Sequence, residues 1–262
     1  MTNTPIKIAI IDMYDDTVNM GMICILGILK DWSQQRNILI EYEIFPLRNK
    51  CKIPDNSFDI YLSTGGPGSP IDSEGSTWDN LFVQWLQKML DQNKPVLLIC
   101  HSFQIACRHF NFGNVCLRKS TQLGVLPVHP LVEDKIFQNL NDPFYTLESR
   151  VYQIIEPHDE NIASLGAKII ALEKHRPHVP LERAIMAIKF SDKMYGVQFH
   201  PEGEKNILID FFNDIEVKNN IIEKYGEQKW EIIMSKLNDP EKLPKTHAHF
   251  IPNFLNLAIG NC

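Results

Sequence analysis

Three residue types that together make a covalent catalyst stand at strand-like ends of this chain: Cys100, His200 and Glu202. Cys100 closes the apolar run PVLLIC and is followed at once by a helical pattern, HSFQIACRHF. A thiol attacks a carbonyl carbon only as the thiolate, and a helix N-terminus and a nearby imidazole both stabilise that anion. A sharp strand-to-helix elbow also lifts a nucleophile clear of a sheet. The residue after such a nucleophile, here His101, offers its backbone N–H to a developing oxyanion. Gly65 and Gly66, after an earlier strand, are the candidates for a second donor, because an amide without a neighbouring Cβ can approach a substrate closely. His200 and Glu202 are two residues apart in MYGVQFHPEGE, which on extended backbone sets both side chains on one face. The acid can then orient the imidazole, and the set reads as a nucleophilic Cys-His-Glu triad.

Elements must bring these residues together across a hundred positions. Short apolar strands are expected at 6–12, 38–47, 58–63 and 96–100, with amphipathic helices at 20–32, 78–90 and 102–110. The turn TGGPGSP breaks the chain after the third strand. Strands alternating with helices predict a parallel sheet covered on both faces, an α/β fold in three layers, α/β/α. After Phe112 the pattern changes to strands in succession, at 115–118, 124–129, 144–147, 151–156, 167–172, 184–190 and 195–200. Some of these must pair antiparallel. A helix at 206–215 would complete a domain of residues 1–216. The remainder, 217–262, reads as a helical extension packed on the same domain. One helix is expected at 220–237, with irregular backbone forced by Pro240 and Pro244 from there to the end.

The 262 residues are 44% hydrophobic and 22% charged, enough to build a core and unlike a disordered chain. A net charge of −6 with no run of Lys or Arg argues against a nucleic-acid surface. No apolar stretch approaches the roughly 20 residues of a membrane span. The opening residues enter a strand at once instead of a secretory leader, and the six cysteines include no CxxC pair. A cytoplasmic protein with reduced thiols is expected. Cys24, Cys51, Cys107, Cys116 and Cys262 then read as packing or surface residues.

The segments Gly65-Gly66-Pro67-Gly68-Ser69, Cys100–Gln104 and Gly196–Glu202 resemble the GGPGS-like, C-x-G-x-Q and G-x-x-x-HPE motifs of the triad-type, class I glutamine amidotransferases. The likeness spans roughly residues 6 to 215 and is closest to the free-standing, guanylate-synthase-like glutaminase branch. It implies a flavodoxin-like sheet with an antiparallel extension and no cofactor. It further implies that Cys100 attacks the γ-amide of glutamine, that His200 protonates the leaving ammonia and that water hydrolyses the thioester. Gln104 would help to hold the substrate, and a separate synthase subunit would receive the ammonia. Two positions depart from the pattern. Ser102 stands where the family has glycine in the elbow. Glu148-Ser149-Arg150 is the best counterpart of a Ser-His segment that holds the glutamine backbone, with Arg150 in place of histidine. An arginine there could pair with a substrate carboxylate.

Other polar groups have plainer readings. Asp12, Asp15 and Asp16 follow the first strand, where open α/β sheets bind ligands, but they suit a solvated loop. His175 with His178, and His247 with His249, lack a third ligand at metal spacing. The tail's length leaves room for a partner or homodimer role. The same triad also serves γ-glutamyl peptide hydrolases and homoserine acyltransferases, and a glutaminase-like regulatory subunit would need none of it.

Overall fold

The structure, a computed structural model, describes residues 4–14, 19–178 and 181–260. Its elements run β1 (Ile6–Asp12), α1 (Met20–Arg36), β2 (Ile40–Pro46), α2 (Leu47–Lys50), β3 (Ile60–Ser63), α3 (Thr77–Asp91), β4 (Val96–Ile99), α4 (His101–His109), β5 (Asn114–Pro130), β6 (Phe144–Ile155), α5 (Asp159–Ser164), β7 (Lys168–Glu173), β8 (Ile185–Lys189), β9 (Met194–Val197), α6 (Lys205–Asn213), α7 (Ile215–Tyr225), α8 (Glu227–Leu237) and α9 (Leu243–Ala258). One nine-stranded sheet has the order β2-β1-β3-β4-β9-β8-β7-β5-β6. The first five strands in that order pair parallel and the last four antiparallel, so the expected α/β architecture carries an antiparallel half continuous with the parallel one.

The central strands are apolar throughout because both of their faces are covered. Every residue of β3, β4 and β9 is buried. On one face α1 and α9 cover Ile8, Ile10, Leu62 and Leu97; on the other, α3 and α4 cover Ile11, Tyr61 and Leu98. A third apolar cluster forms beyond the sheet, where Leu208 and Phe212 of α6 meet Ile221, Ile233, Leu237 and Leu243. Gly196 marks a close approach: a Cβ there would collide with the Phe103 and Phe190 rings, so a glycine lets α4 settle onto β9.

Several boundaries differ from expectation. The pairs 115–118 with 124–129 and 144–147 with 151–156 are single long strands, joined through a register shift between Leu117 and Gln122. The expected helix at 220–237 is two helices, parted at Gly226 with φ 85° and ψ 155°, a geometry outside any helix. The segment after Pro240 is not irregular. Pro244 lies in the first turn of α9, where a missing N–H costs no hydrogen bond.

Candidate active site

β1, β3, β4 and β9 end at one edge of the sheet, where the chain order reverses about β1, the position at which open parallel sheets build ligand sites. Cys100 sits there with φ 50° and ψ −98°, between β4 and the first turn of α4. A non-glycine residue in such a conformation costs about 1–3 kcal/mol and needs surroundings that hold it. Here the Cys100 N–H donates to Val197 O at 2.7 Å, locking the elbow to β9. Ser102, placed where glycine was expected, turns beneath the elbow instead of into the site. Its Oγ accepts from the Ile99 N–H at 2.9 Å and lies 3.1 Å from Ser63 O and 3.0 Å from Ile99 O, so the hydroxyl ties the ends of β3 and β4 together. Hence the departure at 102 braces the turn without filling the pocket.

His200 is held by both of its backbone groups. Its N–H donates to Leu147 O at 2.9 Å and its carbonyl accepts from Thr146 Oγ1 at 3.1 Å, both from β6. Its Nδ1 lies 2.8 Å from Glu202 Oε1. Burial alone would disfavour the imidazolium, but the Glu202 carboxylate and the charge and hydrogen bond of Cys100 outweigh it and push His200 well above the ordinary imidazole range. Glu202 is itself tied down by α9, whose His247 Nδ1 lies 2.9 Å from Glu202 O. The histidine singled out as a weak metal candidate therefore contacts the backbone of the acid. Among the described residues no group of three or more His, Cys, Asp or Glu side chains could hold a metal ion.

Gly65 closes the site from above. A Cβ there would stand 2.8 Å from His200 Cε1, 3.2 Å from Tyr14 Oη and 3.4 Å from Cys100 Cβ, so these four residues converge on one point. Gly66 is equally constrained, since a Cβ would run into the Met13 carbonyl. Two arginines hold this loop. Arg48 Nη1 donates to Met13 O at 3.1 Å and Pro67 O at 2.5 Å, and Arg108, paired with Asp79 at 2.6 Å, donates to Pro70 O. His101 is buried near Trp78; burial first, then Arg48 and Arg108, lower its imidazole to about 3 and keep it neutral.

The remaining candidates divide. Ser149 lines the pocket with Leu147, on the same face of β6. Arg150 does not: strand alternation turns it to the opposite face, where its Nε meets Glu148 Oε2 at 2.9 Å and its Nη2 lies 3.6 Å from Glu173 Oε1. The expected substrate contact from Arg150 gives way to a buried charge network. Gln104 is also buried, and it donates to Gln198 Oε1 at 3.2 Å, while Gln198 Nε2 lies 3.8 Å from Cys100 Sγ. It thus reaches the thiol only through Gln198. Asp12 accepts the Tyr14 N–H at 2.8 Å, capping a tight turn, while Asp15 and Asp16 fall outside the described residues. His175 and His178 are exposed.

Reading the sequence missed Tyr14, Gly21, Cys24 and Gln198. Tyr14 and Cys24 line the cavity, with the phenol pushed up to about 12 and the thiol to about 11, chiefly by burial, so both stay protonated. Gly21 had a signal: a glycine in the first turn of a helix marks a close approach, here to Glu202 Oε1, 3.2 Å from where a Cβ would stand. The others had none in their spacing.

Comparison with known proteins gives the family. Residues 32–215 match the family model described as glutamine amidotransferase class-I. Over 191 residues the chain is 27% identical to a glutamine-hydrolysing GMP synthase of Chlorobaculum tepidum, covering 69% of this chain and 33% of that protein. A GMP synthase of Clostridium botulinum is 27% identical over 233 residues, covering 82% of this chain and 41% of its own length. The chain thus spans well under half of these relatives. A glutamine amidotransferase structure from Thermotoga maritima superposes with a TM-score of 0.70 over 98% of this chain and 99% of the other, at 16% identity, a likeness of fold. With a family-model match over most of its length and a like fold, the chain belongs to the class I glutamine amidotransferase family and is similar to glutamine-hydrolysing GMP synthases.

Proposed function

We propose that this protein cleaves a γ-glutamyl amide through Cys100, His200 and Glu202. The observation that carries the reading is the buried 2.8 Å contact between His200 and Glu202 beside a cysteine on a strained elbow. Cys100 sulfur adds to the γ-carbonyl carbon. The backbone N–H groups of His101 and Gly66 receive the oxyanion, and each such donor contributes about 3–4 kcal/mol to the transition state. His200 gives its proton to the departing nitrogen as the C–N bond breaks and the thioester remains. Water, deprotonated by His200, then attacks the thioester, releasing glutamate and the thiolate. Glu202 holds the imidazole in its working tautomer and stabilises its cation. Ser149 faces the glutamyl part of the substrate.

Where the amide is glutamine itself, the GMP synthase relatives support an ammonia-consuming synthase as the recipient, and the free cysteines among the described residues support a cytoplasmic setting. Among the described residues no helix is long and apolar enough to cross a membrane.

Glutamate release from γ-glutamyl amides, compared between wild type and Cys100→Ala, tests the reading. The variant should fold and lose turnover entirely; undiminished release would sink it. Glu202→Gln should fall by about 10²–10⁴-fold yet stay above Cys100→Ala, since the acid acts through the imidazole.

A further inference from the structure

The cavity at Cys100 is large and mostly apolar. It has a volume of about 610 Å³, within the roughly 300–1,000 Å³ of pockets that hold whole drug-sized ligands. Its lining is mostly apolar, with Met20 of α1, Leu147 of β6 and Leu208, Phe211 and Phe212 of α6, while Tyr14 and Ser149 are among its polar groups. Met20 and Leu208 lie near the His200–Glu202 segment, since Gly21 abuts Glu202 and a Cβ at Gly203 would stand 3.2 Å from Leu208 Cδ1 and 3.4 Å from Leu147 Cβ. Leu208 and Phe212 are anchored from behind by the cluster with Ile221, Ile233 and Leu237, in helices that lie beyond the segment matching the family model. Phe211 stands at the mouth, 37% exposed.

The amine part of a γ-glutamyl amide must point to the His200 side, because His200 supplies its proton. Ammonia draws no affinity from an apolar wall there, whereas an alkyl or aryl substituent is removed from water against it. The wall also discriminates by charge. Among the described residues lining the cavity there is no lysine or arginine, and the ionisable group nearest the imidazole is Glu202. An amine that carries its own carboxylate, such as the second residue of a γ-glutamyl dipeptide, would meet repulsion and no counter-ion.

Resting on the thioester reading above, we infer that the substrates of this site are γ-glutamyl amides of uncharged, apolar amines, with α6 and Met20 forming the subsite for the amine. Cleavage balances as a hydrolysis: the C–N bond breaks, water supplies hydroxyl to the glutamyl carbon and a proton to the amine, and glutamate and free amine leave.

The test measures glutamate release by the full chain from L-glutamine, γ-glutamylethylamide, γ-glutamylbutylamide, γ-glutamylanilide and γ-glutamylglycine, in wild type, Cys100→Ala and Phe211→Ser. The expected result is a kcat/KM at least about tenfold higher for the butylamide and anilide than for glutamine, lost in Cys100→Ala, with γ-glutamylglycine no better than glutamine. Phe211→Ser should lower the ratio of anilide to glutamine activity by about tenfold. Cys100-dependent cleavage that favours glutamine or γ-glutamylglycine would overturn the inference and leave the triad standing. Alkylation of Cys100 by a γ-glutamyl chloroketone without cleavage of any amide would also overturn it, and would assign the wall to a protein partner. Neither alkylation nor cleavage would remove the thioester reading and the inference with it.

Discussion

Ser102 shows how a side chain can stand where a family prefers none. Its hydroxyl satisfies the Ile99 N–H and bridges toward Ser63 at the floor of the elbow, so the side chain secures the turn. Removing the hydroxyl leaves a buried donor without an acceptor, which costs about 1–3 kcal/mol. Ser102→Ala should therefore unfold at lower denaturant by that amount; an unchanged midpoint would mean that the elbow does not lean on the hydroxyl. His200 illustrates the opposite dependence. Its position comes from Leu147, Thr146 and Glu202, three residues on two segments, and none of them neighbours it in sequence except Glu202.

At the scale of elements, α9 is part of the core. Phe250 is fully buried against the rings of Phe137, Phe144 and Phe199, with centroids at 6.1, 6.3 and 5.3 Å, and Trp32 Nε1 donates to Asn256 Oδ1 at 2.9 Å. The same helix carries His247 to the Glu202 carbonyl, so the stability of the tail and the placement of the acid are linked. Phe250→Ala should cost about 3–5 kcal/mol in thermal or chemical unfolding, the usual penalty for emptying a buried aromatic site. A loss under 1 kcal/mol would show that α9 is only loosely attached.

For the whole molecule, the antiparallel half of the sheet is stitched by buried charge. Arg118 of β5, Glu148 and Arg150 of β6 and Glu173 of β7 form one network, with Arg118 to Glu173 at 2.9 Å. Burial works against the Glu173 carboxylate, but Arg150 and Arg118 outweigh it and hold its pKa below the ordinary value of 4.5. A depressed carboxylate stabilises the fold above its unfolded pKa, and that stability fades as pH falls through the folded value. Arg150→Met should thus lose about 3–5 kcal/mol near neutral pH by stranding buried carboxylates. The gap to wild type should narrow in acid, below the ordinary 4.5, where Glu173 takes up its proton. Urea titrations of both proteins across that range would check it, and a gap independent of pH would locate the damage in packing.

Local chemistry made much of this protein legible from its residues alone. Apolar runs of four to seven residues, glycines at turns and the elbow pattern at Cys100 mark the parallel half of the sheet, because buried strands and tight turns restrict composition within a few positions. HPE at 200–202 is legible as a motif, but β9 ends at Val197, short of the expected 200, and the His200–Glu202 contact is made across a turn instead of by strand alternation. What depends on distant partners was not. That 115–118 and 124–129 are one strand follows from pairing with β6 across the register shift. The direction of Arg150 depends on which face of β6 meets Glu173, and one step of alternation exchanges it with Ser149. The apolar wall beside His200 combines Met20 with Leu208, Phe211 and Phe212, nearly two hundred positions apart, and only the packing of α1 against α6 brings them to one cavity.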